Sequence, residues 1–202
     1  MIRVVFGAAV GALTVFFVGF IFWVLLPVPF SIVHDLPRDQ TAAMLEQLDL
    51  PGSGVYHYPG FPLNEDGSMM DEAATAALEE RFRTGPTISM MVYHDGGRDM
   101  FPMWQIPASL VINFVAALFA ALMLRVSGQR CWLRRAFIVT AAGVLAGVAG
   151  NANHFMWFMV PYDFAVYSIA TTVVAWAVAS LPLAAIVRPG AGAAACATPD
   201  AP

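Results

Sequence analysis

The chain has 202 residues, 59% apolar and only 12% charged, with a formal net charge of −4. A soluble domain usually carries about twice that charged fraction, and here the charges are clustered between long uncharged stretches. No basic stripe is available to neutralise phosphates, which excludes a nucleic-acid partner.

Four segments are long enough to cross a hydrocarbon core of about 30 Å, which takes roughly 20 helical residues. The first runs from Val4 to Leu26 and stops before Pro27 and Pro29. Its apolar run is too long for a typical secretory signal and no small-residue cleavage site follows, so it reads as an uncleaved signal anchor. Gly7 and Gly11 give it a close-packing spot.

The next segment is wet and patterned. Asp39 can cap a helix over Gln40–Leu48. Gly52 and Gly54 break the chain before a strand-like run, Val55–Tyr58. A second helix is expected over Asp71–Arg83. Met70, Ala74, Leu78 and Phe82 form its buried stripe, and Glu79 and Arg83 pair one turn apart. Gly85-Pro86 stops it. A second strand, Ile88–His94, places Ile88, Met90, Val92 and His94 on one face and ends at the turn Asp95-Gly96-Gly97. The order helix, strand, helix, strand suggests a small α+β cap, marginal on its own.

The second span starts near Pro107 and ends at Arg125, the third covers Ala136–Val160, and the fourth covers Asp163–Val187. All ten cations are arginines. Arg3, Arg125, Arg130, Arg134, Arg135 and Arg188 fall on one side of a membrane if both termini are cytoplasmic, as the positive-inside rule requires. The segment between the first two spans then faces outward, with twelve acids against four arginines.

The expected fold class is therefore an integral membrane protein, mainly α-helical, with four transmembrane helices and a small α+β extracytoplasmic cap between the first and second. Its parts are a signal-anchor helix at 1–27, the outer segment at 28–105, a three-helix transmembrane bundle at 106–188 and a disordered cytoplasmic tail at 189–202. Absence of lysine and abundance of alanine and glycine point to a GC-rich bacterium, and so to its inner membrane, with the chain multi-pass. Cys131 and Cys196 would both sit on the reducing side, where no disulfide is expected.

The third span carries the densest polar pattern: Thr140, Gly143, Gly147, Gly150, Asn151 and His154 recur at three- and four-residue intervals. Ser109, Asn113, Ala117 and Ala121 form a matching stripe on the second span, and Ser168, Thr171, Thr172 and Ala175 on the fourth. Two readings stay open. The stripes are helix-packing surfaces, with hydroxyls and amides bonding across the contacts, or Asn113, Asn151, His154 and Asp163 line a polar pocket at the outer mouth of the bundle. Asp163 is also accounted for by the positive end of the fourth helix. Trp23, Trp104 and Trp157 fit an aromatic belt on the outer side and Trp132 one on the inner side.

Chemistry is sparsely signalled. All four histidines and most of the eleven methionines fall toward the outer side. Imidazole with thioether favours copper, and His57, His94, Met90 and Met91 are the candidate ligands, although methionine is also an ordinary gap-filler. No nucleophile elbow, phosphate-binding glycine loop or zinc-protease motif occurs, so no enzyme is expected. No ionisable side chain lies at mid-bilayer, which disfavours transport. The expectation is a non-enzymatic accessory, assembly or envelope factor. Through its outer face it contacts the lipid bilayer and another membrane protein, or a second copy of itself. Copper binding by the outer segment, and a small molecule or lipid at the outer mouth, are the alternatives.

Overall fold

A computed structural model describes residues 1–64, 66–99 and 101–188. The chain is mainly helical and divides into two compact units. One comprises Met1–His34, Phe101–Trp157 and the chain from Pro161. The other comprises Asp35–Met100 with Phe158–Val160.

The first unit contains four helices long and apolar enough to cross a membrane: Ile2–Leu25, Gln105–Val126, Trp132–Trp157 and Tyr162–Ile186. α1 (Ile2–Phe20) continues into a π-helical turn, Ile21–Leu25, and a single turn, α2 (Pro29–Ile32), follows. α5 (Gln105–Val126) and α6 (Trp132–Gly147) come after the second unit. α6 runs into a second π-helical turn, Val148–Ala152, then α7 (Asn153–Trp157) and α8 (Tyr162–Ile186). The third span thus starts one turn before the expected Ala136, with its flanking arginines inside the helix.

Packing in this unit is built on small residues. α1 lies along both α5 and α8, and α6 lies along α8, while α5 barely touches α6. Ala8, Ala12, Ala117, Ala121, Ala175 and Ala179 are all buried. Where no hydrophobic gain separates helix from lipid, close backbone approach and van der Waals contact hold helices together, and alanine and glycine permit both. Gly11 sits where three helices meet, so that a Cβ there would lie 3.0 Å from Leu183 and 3.3 Å from Ala117. A Cβ at Gly7 would lie 2.6 Å from Val187, one at Gly143 would overlap Trp176, and one at Gly147 would press on Val173. Four of the five glycines expected to pack do so.

Gly150 does not, since nothing lies within 4 Å of where its Cβ would be. The reason is the π-helical turn Val148–Ala152. Gly150 lies inside that turn, where each residue advances by less than the α-helical rotation of about 100°, so a face extrapolated at α-helical spacing from Gly143 and Gly147 drifts away from α8.

The hydroxyls also behave differently from expectation. Thr14, Thr171 and Thr172 donate to carbonyls four residues back, and Ser180 to one three back, each on its own helix. They satisfy themselves locally and do not bridge helices. Cys131 is disulfide-bonded, against the expectation of a thiol. That expectation rested only on the redox state of a compartment. Cys196 lies outside the described residues.

The second unit has the expected order: α3 (Arg38–Gln47), β1 (Gly54–Tyr58), α4 (Glu72–Thr84) and β2 (Ile88–Tyr93), with β1 and β2 antiparallel. Details depart from the sequence reading. The N-cap of α3 is Pro37, which offers no side-chain cap, and Asp39 sits inside its first turn. Asp71 does cap α4, accepting the N–H of Ala74 at 2.7 Å. Arg83 pairs with Glu80 at 2.9 Å, in place of Glu79, and both are exposed, a pairing worth only a few tenths of a kcal/mol to about 1 kcal/mol. The stripe on α4 is not buried, and Phe82 is 43% exposed. Neither helix packs along the sheet.

Candidate functional site

The second unit carries a two-stranded antiparallel sheet. Val55 pairs with Val92, and Tyr56 with Met91; the register then slips, so that Tyr58 pairs with Ile88. The slip leaves Ser89 and Met90 opposite His57 alone, a bulge that moves Ile88 to the other face from Met90 and Val92. One face carries Tyr56 and Tyr93 with ring centroids 6.2 Å apart, and the Tyr56 hydroxyl donates to the Gly52 carbonyl at 2.6 Å. The other face carries Val55 and Val92, 65% and 60% exposed. His57, on that face by alternation, lies 4.1 Å between ring centroids from Phe61, itself 67% exposed. None of the described residues between 35 and 99 is buried.

The candidate copper ligands are placed by the same register. His57 and Met90 are neighbours at the bulge. Met91 points to the opposite face, with Tyr56. His94 follows the end of β2, four residues beyond Met90 and so about 13 Å along the strand. At most two of the four can meet at one point. Among the described residues, no three His, Cys, Asp or Glu side chains are grouped to hold a metal ion.

The four polar-pocket candidates are spread over separate elements. Asn113 is half-buried on α5, and Asn151 is half-buried in the π-helical turn after α6. α5 and α6 share little contact, so these two amides do not face each other across a helix interface. His154 is exposed on α7, its ring 6.0 Å from that of Phe155. Asp163 is exposed in the first turn of α8 and accepts the N–H of Phe164 at 2.8 Å.

What the sequence reading missed at this end of the helices is an aromatic cluster. Trp23 packs on Tyr167 at 5.2 Å and on Phe164 at 5.8 Å, and Phe155 meets Phe164 at 5.8 Å. Trp23 is therefore part of a helix contact, while Trp104 and Trp157 are 68% and 78% exposed. At its centre the Tyr167 hydroxyl donates to the Phe22 carbonyl. The cause is local. Leu26 N–H bonds to Ile21 in the π-helical turn, and the next residue is Pro27, which has no N–H to give. The Phe22 carbonyl is left without a backbone partner, and Tyr167 supplies one. A proline five residues after Phe22, just past a span's end, with tyrosines on a neighbouring span, was the only available signal.

The opposite end gathers the cations. Val187 packs on Gly7 and Arg125 reaches the Met1 sulfur at 3.2 Å, so the start of α1 and the ends of α5 and α8 lie together. The α5–α6 connection is short, and Arg3, Arg125, Arg130, Arg134, Arg135 and Arg188 all belong to this end. Arg135 stands apart: it is 5% exposed, and its Nε and Nη2 have no hydrogen-bond partner.

In the turn at 63–69, Asp66 accepts both the hydroxyl of Ser68 at 2.6 Å and its N–H at 2.9 Å. These bonds, the hydroxyl first, hold the Asp66 carboxyl below the ordinary carboxylate range. No protein-family model, curated protein or solved structure matches this chain.

Proposed function

We propose that the chain is a non-enzymatic accessory or assembly factor of a bacterial inner membrane. In this reading its four apolar helices span the bilayer, and the segment between the first two docks on the extramembrane face of a partner membrane protein. The observation that carries the reading is the lack of any buried residue among those described between 35 and 99. A two-stranded sheet is marginal in water without a covered face, and here Val55 and Val92 stand side by side in the open. Burying a valine contributes about 1.5 kcal/mol or more, so covering this face supplies what the segment lacks.

Charge selects the partner. Twelve acids surround four arginines in this part of the sequence, so a complementary surface is apolar at its centre and basic at its rim. The orientation follows from the six arginines at the other end, which the positive-inside rule keeps in the cytoplasm. Neither the dispersed histidines and methionines nor the separated amides supply a comparable argument for copper or for a ligand at the outer mouth.

A photo-crosslinking residue at Val92, combined with purification in mild detergent, tests this. A single stoichiometric partner should be captured in both, and Val55→Asp with Val92→Asp should remove it. A chain that purifies alone and forms no crosslink from Val92 in native membranes would defeat the proposal.

A further inference from the structure

We infer that the arginine-rich end of the helices holds the phosphate of an anionic phospholipid, in a site built from Arg135 and the first turn of α6. Arg135 opens the stripe Arg135, Val139, Gly143, Gly147, whose later members pack on α8, and it is buried like them. A guanidinium does not deprotonate in proteins, so burial cannot be relieved by losing the charge. An unpaired buried charge is strongly unfavourable, and an anion beside it relieves that cost.

The described residues offer none. Every acid among them lies between residues 35 and 99, except Asp163 at the opposite end of α8. The anion has to come from outside the chain's own described structure.

The first turn of α6 is prepared for one. Its leading N–H groups have no partner within the helix, Cys131 offers no side-chain cap, and the helix dipole puts partial positive charge there. Side chains lean toward the N-terminus of their helix, which for Arg135 is the direction of those N–H groups. Arg130 and Arg134, both exposed, flank the same turn. Paired guanidinium donors match a phosphate's oxygens bidentately. Where an apolar helix ends at a bilayer surface, lipid phosphate is the most concentrated anion.

The test uses the full chain in nanodiscs of phosphatidylcholine, with and without phosphatidylglycerol, and in phosphatidylcholine with inorganic phosphate at matched ionic strength. Tryptophan fluorescence reads thermal unfolding, and native mass spectrometry reads retained lipid. Phosphatidylglycerol should raise the Tm of the wild type. Arg135→Gln should lose most of that rise and retain phosphatidylglycerol about tenfold less, as the loss of a charge-assisted contact implies. Arg3→Gln, an exposed arginine at the same end but outside the first turn of α6, should keep both. Arg135→Lys, which preserves charge without the fork, should fall between and covers the case in which the glutamine variant fails to fold. Inorganic phosphate should have no effect. The inference is overturned by any of three results: an unchanged lipid response in Arg135→Gln, a full response to inorganic phosphate alone, or no preference of the wild type for phosphatidylglycerol.

Discussion

The Tyr167 hydroxyl donates to the Phe22 carbonyl, the one side-chain hydrogen bond among the described residues that links the first span to the fourth. It exists because Pro27 cannot complete the π-helical turn. Tyr167→Phe keeps the ring packing on Trp23 and removes only the donor. Leaving a sequestered carbonyl unsatisfied costs about 1–3 kcal/mol, so the variant should unfold earlier in detergent by that amount. Tyr167→Phe with wild-type stability would mean that water reaches the Phe22 carbonyl.

Glycine positions on α6 should separate sharply. Gly143→Ala places a methyl group against Trp176 and should destabilise by about 1–3 kcal/mol, the usual cost of overpacking. Gly150→Ala meets open space and should be neutral or slightly stabilising, because alanine is the better helix former. Thermal unfolding of both variants in one detergent checks this, and equal effects would contradict the open surroundings of Gly150 in the π-helical turn.

The turn at 63–69 should respond to acid. Because the Asp66 carboxyl titrates below its ordinary range in the fold, its bonds to Ser68 contribute order above the ordinary carboxylate range. That order is lost as pH falls through the lowered folded value. Protection of the Ser68 amide from hydrogen exchange should therefore persist at neutral pH, after correction for intrinsic rates, and decline in strong acid. Asp66→Asn should flatten the pH dependence. A Ser68 amide equally protected across the range would contradict the assignment.

The four long apolar helices were legible because each holds a long uncharged run flanked by proline, arginine or aspartate, a signal that survives without any knowledge of packing. Gly7, Gly11, Gly143 and Gly147 were legible for a related reason, since small residues at helical spacing mark close approach wherever the helix is regular. Regularity was the assumption that failed. Nothing in Val148–Ala152 announces a π-helical turn, and the displaced Gly150 follows from it. The Tyr167–Phe22 bond was invisible because it depends on which span lies beside which. The copper candidates shared a side of the sequence map, but Met90 and Met91 alternate across the sheet, and a bulge cannot be read from Ile88–Tyr93 alone.

One measurement bears on the whole account: the side of the membrane on which the Gly96-Gly97 turn sits. The full chain carrying alkaline phosphatase inserted at that turn, expressed beside the same chain carrying a fluorescent protein that matures only in the cytosol, reads it directly. Six arginines held inside predict an active phosphatase and a dark fluorescent insert. An inactive phosphatase with a bright fluorescent insert would put Val55 and Val92 in the cytosol and contradict the proposed docking face together with the orientation it stands on.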